Sequence, residues 1–127
     1  MNISQAAKAS GLPTKTVRYY ANIALVNSNG RSAAGYRTYG DAEIRKLIFV
    51  RRAREFGFSI DECRGLLGLY QDHARSSADV KRIAQKRLAE IQEKQRELQS
   101  LHDELAHLVK SCRGDNRPDC PIIDYFG

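Results

Sequence analysis

From Asp79 to Lys110 the chain contains neither glycine nor proline, and no other feature constrains its fold as strongly. Ser76 followed by Asp79 marks a helix start, and about 32 residues at a rise of about 1.5 Å predict a rod roughly 48 Å long. In heptads, Ala84, Ile91, Leu98 and Leu105 share one seam position. Leu101 and Leu108 take the other, where earlier turns carry Arg87 and Lys94. What precedes the rod is a head of about 75 residues, too small to cover it along its length. The apolar stripe therefore points to pairing with a second copy, a homodimer; the alternative is a helix folded back on its own head. Heptads do not fix the direction of pairing. The sequence thus divides into a head (1–75), a dimerisation helix (76–110) and a tail (111–127).

Charge is concentrated in the head. The whole chain carries 21 Lys and Arg against 15 Asp and Glu, a net +6. Residues 1–60 hold ten cations against three acids (Asp41, Glu43, Glu55), and the remainder holds eleven against twelve. A basic head on a nearly neutral remainder suits a protein that docks on a polyanion such as nucleic acid with one end. An unevenly charged solvated surface is the plain alternative. The longest apolar run, Leu47 to Val50, is too short to span a bilayer. The start, Met1-Asn2-Ile3-Ser4, lacks the basic and apolar regions of a signal peptide. The expectation is a cytoplasmic protein with no membrane partner, in a compartment that keeps thiols reduced.

Within the head, Ser4 is placed to cap a short helix through Ser10, stopped by Gly11, and Thr14 to cap a second one through Tyr20. Two short helices separated by Gly11-Leu12-Pro13 outline a helix-turn-helix. Glycines beside aromatic and β-branched residues between Asn27 and Tyr39 suggest a small hairpin or wing. Asp41 then caps a helix that buries Ile44, Leu47, Ile48 and Ala53 and ends at Gly57. Ser59 with Glu62 forms a capping box for another helix to about Tyr70. The fold class is mainly α.

Gly114, Pro118 and Pro121 forbid continuing the rod, so the tail is a loop with Cys112 and Cys120 at its ends, followed by a short apolar tag. Two thiols closing a short loop in a reducing compartment suggest metal binding, a regulatory disulfide, or two unremarkable thiols. Their spacing is not CxxC. Two thiolates alone suit a soft, low-coordination ion such as Cu(I). Cys63 occupies an apolar helix slot between Ile60 and Leu66, which predicts a buried small hydrophobe. His102 and His107, five apart, diverge by about 140° on a helix and do not share a face. No Gly-rich phosphate loop, HExxH or nucleophile elbow is present, so no enzymatic activity is expected.

Met1-Asn2-Ile3, Arg18-Tyr19-Tyr20, Gly35-Tyr36-Arg37-Thr38-Tyr39, Arg54 through Gly57-Phe58-Ser59, Ser77-Ala78-Asp79-Val80-Lys81, and Cys112 to Cys120 followed by Pro121-Ile122-Ile123 form a set of motifs. Together they resemble the MerR family of transcription regulators, most of all its copper-efflux branch. The resemblance implies a winged helix-turn-helix head, a dimer joined through an antiparallel coiled coil, and a C-terminal metal-binding loop. It further implies a dimer on promoter DNA with an overlong spacer, which metal distorts so that RNA polymerase can act at the same promoter. By the same resemblance, Lys15, Arg18, Tyr19 and Tyr20 of the second helix and Arg31, Tyr36 and Arg37 of the wing contact DNA. Cys112 and Cys120 hold Cu(I), or Ag(I) or Au(I), as effector. Ser77, at a position that is Cys in divalent-metal members, and Lys81 surround the ion. A thiol-redox regulator using a Cys112–Cys120 disulfide is the alternative. Pro13, Ala21 and Ala24 depart from the family pattern; Ala24 replaces a usual glycine, so a positive φ there would cost about 1 kcal/mol.

Overall fold

The computed structural model describes residues 1–127, which form α1 (Ile3–Ser10), α2 (Thr14–Asn22), β1 (Gly30–Arg31), β2 (Arg37–Thr38), α3 (Asp41–Glu55), α4 (Ile60–Gln71), α5 (Ser77–Ser111) and α6 (Pro121–Phe126). The chain separates into two compact units, 1–81 and 82–127.

Local chemistry sets the helix ends of the first unit. α1 starts earlier than Ser4 would place it: Asn2 Oδ1 accepts from the Gln5 N–H and Gln5 Oε1 from the Asn2 N–H, each at 2.9 Å. Ser4 has Ala7 three residues on and could not complete such a reciprocal box. Gly11 closes α1 at φ 76°, its N–H donating to Ala7 O at 3.0 Å. Thr14 is the first helical residue of α2 and not its cap, because the extended Pro13 holds the cap position with no side-chain bond. Gly40, not Asp41, precedes α3, with Glu43 Oε2 accepting the Gly40 N–H at 3.0 Å. Asp41 instead lies in the first turn, where its charge meets the positive helix end. The Ser59–Glu62 box opens α4 as the sequence indicates.

α1 packs on α2 and α3, and α3 packs on α4. Ala6, Val17, Val26, Tyr39, Leu47, Val50 and Cys63 form the fully enclosed centre of this unit. The wing is minimal: β1 and β2 are two residues each, antiparallel, with Gly30 opposite Thr38 and Arg31 opposite Arg37. Ala24, in the turn after α2, has φ 56° and is the one non-glycine residue at positive φ. Left-handed backbone costs an L-residue about 1–2 kcal/mol, partly offset by alanine's smaller entropy loss on folding. Ala24→Gly is therefore expected to raise stability by about 0.5–1 kcal/mol, read as a higher urea midpoint at unchanged slope.

In the second unit α5 runs unbroken to Ser111, and of its residues only Leu108 is buried. Leu88, Leu98, Leu101, Leu105 and Val109 are exposed, leaving the apolar stripe uncovered in the single chain. Arg87–Glu90 (3.1 Å), Lys94–Glu97 (3.6 Å) and Arg96–Glu93 pair along its surface, and such exposed pairs contribute little. The apolar tag is itself a short helix, α6, opened by Pro121, whose fixed φ suits a first helical turn. No helix is long and apolar enough to cross a membrane.

Candidate nucleic-acid interface and metal centre

Of the α2 residues singled out by sequence, Lys15, Arg18 and Tyr19 are exposed. Tyr20 is not: it is 5 % exposed and belongs to the core, which corrects its expected DNA contact. The reason is helical phase, since Tyr20 follows the buried Val17 by three residues and shares its inward face. Burial pushes the Tyr20 phenol up, opposed by the Arg54 cation that also hydrogen-bonds it. Arg54 in turn donates from Nη1 to Phe58 O at 2.7 Å, so Tyr20 supports α2 from beneath.

Arg18, Arg31, Tyr36 and Arg37 line one open concavity of about 580 Å³ beside Asn2, Ile3 and Ser4; Lys15 and Tyr19 lie outside that lining. Tyr36 is 74 % exposed at the wing. Arg31 Nη1 donates to Gly35 O at 2.8 Å, bracing the wing turn from within. Arg37 Nη2 donates to Asn22 Oδ1 at 3.0 Å, tying β2 to the last residue of α2. Guanidinium has five donors, so both arginines keep donors for a ligand. Below them lies Tyr39, whose phenol burial pushes up and the Arg37 and Arg18 cations pull down. Three guanidinium groups around one concave surface match phosphate oxygens in charge and in fork geometry. Sequence reasoning does not find Asn22, because a lone polar residue at a helix end carries no signal of a partner in the wing.

Cys112 follows α5 and Cys120 precedes α6, with Sγ atoms 3.9 Å apart. That is nearly twice the length of a disulfide, about 2.05 Å, so both are free thiols. Both are half-buried, and the loop between them turns through Gly114 at φ 65° and an Arg117 N–H to Asp115 Oδ1 bond of 2.9 Å. The backbone N–H of Ile123, helped by that of Ile122 and by the Cys112 thiol, holds Cys120 below the usual thiol range against the effect of desolvation. A lowered thiol is closer to the thiolate that binds metal. Two sulfurs at this separation can both reach one ion at an ordinary metal–thiolate distance of about 2.3 Å, so the donor set fits a soft ion. No group of three or more His, Cys, Asp or Glu side chains is arranged to hold a metal. Ser77 and Lys81 belong to the first unit, where they line a groove with Phe49, Leu66 and Tyr70. Cys63 is fully buried as expected, its thiol pushed up by desolvation.

A helix presenting Arg18 beside an arginine-lined wing defines a winged helix-turn-helix DNA-binding protein. Residues 1–69 match the MerR HTH family regulatory protein model and residues 44–108 the MerR, DNA binding model. The chain belongs to the MerR family of transcription regulators, which are DNA-binding proteins and not enzymes. It is 52 % identical over 124 residues to the HTH-type transcriptional regulator HmrR of Rhizobium leguminosarum, covering 98 % of this chain and 95 % of that protein. It is 46 % identical over 124 residues to the HTH-type transcriptional regulator CueR of Salmonella typhimurium, covering 98 % and 90 %. The crystal structure of PbrR691 from Ralstonia metallidurans in complex with lead(II) superposes with a TM-score of 0.83 at 28 % identity, covering 100 % of this chain and 99 % of the other.

Proposed function

We propose that this protein is a cytoplasmic, metal-responsive regulator that binds promoter DNA as a homodimer and activates metal-detoxification genes on binding Cu(I), with Ag(I) or Au(I) as chemical equivalents. The observation that carries the ion is the Cys112–Cys120 pair, two thiols 3.9 Å apart with no third ligand assembled around them. Cys112 and Cys120 would hold such an ion through their two thiolates, which already stand at the two ends of the loop. The exposed stripe of α5 supports the dimer, because burying Leu98, Leu101 and Leu105 needs a matching face. Ser77 opens the 35-residue α5 and Cys112 follows its far end. Ser77 and Lys81 would therefore flank the thiols only of a second copy packed antiparallel. There Lys81 would balance the net negative charge of a monovalent ion held by two thiolates, and Ser77, lacking a soft donor, would keep the site two-coordinate. Arg18, Arg31, Tyr36 and Arg37 would grip the phosphates, with Lys15 and Tyr19 on the same helix as Arg18, and RNA polymerase would engage the promoter that the dimer distorts.

Titrating anaerobically purified protein with Cu(I) tests the ion directly. The expected result is one ion per chain with two thiols lost to a thiol reagent, and no comparable binding of Zn(II). Loss of both thiols in air without metal, with no Cu(I) uptake, would replace the ion by a Cys112–Cys120 disulfide.

A further inference from the structure

The turn that ends α2 is gripped by a residue that takes no part in the basic concavity. Arg64 stands exposed on α4, and its guanidinium forks onto two consecutive carbonyls: Nη1 donates to Ala24 O at 3.0 Å and Nη2 to Ile23 O at 3.1 Å. Ile23 is the C-cap of α2, so these are carbonyls at the negative end of the helix dipole, where a cation is favoured. The same turn holds Ala24 at its left-handed φ of 56°, and Asn22, one residue before the cap, receives Arg37 from the wing. A short stretch from Asn22 to Ala24 is thus tied to β2 on one side and to α4 on the other, across 15 and about 40 residues of sequence. A lysine could not reproduce the α4 tie, because a single ammonium does not span two carbonyls as a planar fork does.

We infer that Arg64 is a positioning residue for operator recognition. It fixes the angle of α2 without touching DNA. Arg64 faces a separate groove with Glu43, Lys46, Leu67 and Gln71, away from the residues that line the arginine concavity. The inference rests on DNA binding by the family and is independent of the ion.

The test uses the full chain, Arg64→Ala and Arg64→Lys, and a duplex selected by the unaltered chain from a random pool, with a random-sequence duplex as control. Affinities are measured by fluorescence anisotropy over a range of salt, alongside urea denaturation. Arg64→Ala is expected to bind the selected duplex about tenfold more weakly, with little change on the random one and an unchanged salt slope, since this side chain meets no phosphate. Arg64→Lys is expected to fall in between. Affinity for the selected duplex within twofold of the unaltered chain overturns the inference, as does a change confined to the urea midpoint. A salt slope flatter by about one ion also overturns it, because Arg64 would then grip a phosphate itself. If Arg64→Ala does not fold, the same criteria apply to Arg64→Lys, for which a loss of at least threefold is expected.

Discussion

Cys112→Ser is expected to bind its operator with unaltered affinity and to give no rise in transcription when Cu(I) is added; Cys120→Ser should behave the same way. The two thiols are the only soft donors at the loop, and removing one leaves a single sulfur that cannot bridge an ion across the 3.9 Å gap. Losing an outer-shell partner already weakens metal binding by about 10- to 100-fold, and losing one of two direct ligands should exceed that. Operator binding survives because the arginines belong to the unit 1–81 and the thiols to the unit 82–127. Cys63→Ala serves as the internal control: its thiol is enclosed in the first unit's core, so both activities should persist with a packing loss of about 1 kcal/mol. Full activation of the Cys112→Ser protein by Cu(I), measured at the target promoter, would remove the dithiolate mechanism.

Arg18→Ala is expected to weaken DNA binding about tenfold at low salt, and Arg37→Ala by more than that. Removing one cation from a phosphate should also flatten the dependence of log K on log salt by about 0.9. The two should differ in one respect. Arg18 is exposed, and no bond ties it to the wing, whereas Arg37 also anchors β2 to Asn22. Arg37→Ala should therefore weaken binding beyond what one phosphate explains. If Arg18 reads a guanine edge, its removal lowers discrimination at one base pair by about 1–3 kcal/mol instead. Unchanged affinity and slope for both variants would place neither at the interface.

What is legible in the sequence is local. The Gly11 and Gly57 stops, the Ser59–Glu62 box and the unbroken rod each depend on residues within one turn of one another, and the structure has all of them. The helix starts expected at Ser4, Thr14 and Asp41 are displaced by one or two residues: Gln5 and Glu43 reach back to the N–H groups of Asn2 and Gly40, and the extended Pro13 takes the α2 cap without any side-chain bond. Tyr20 is expected at the DNA by the family resemblance yet is buried, since a motif shared over Arg18-Tyr19-Tyr20 does not say which of the three faces the core. α6 is invisible as a helix because six residues with two β-branched isoleucines carry almost no helical period. The cysteines are legible as a pair by type, but their separation depends on how the loop folds. Arg37–Asn22 and Arg64–Ala24 join residues too far apart in sequence for any pattern to pair them.

The wing is two residues against two, and a two-stranded ribbon of that size has almost no stability of its own in water. Its order is borrowed from a few anchors, chiefly Arg37 on Asn22 and, just past β2, the Tyr39 N–H to Met1 O bond of 2.7 Å. Such a segment opens locally at a small fraction of the free energy needed to unfold the head, so its amides should exchange with solvent long before those of α3. Whatever the wing grips must also supply the ordering of its own hand, and part of each arginine's attraction is absorbed in stilling the ribbon rather than in holding the duplex. The residence time on DNA would then be governed as much by how quickly this ribbon frays as by how many phosphates it meets.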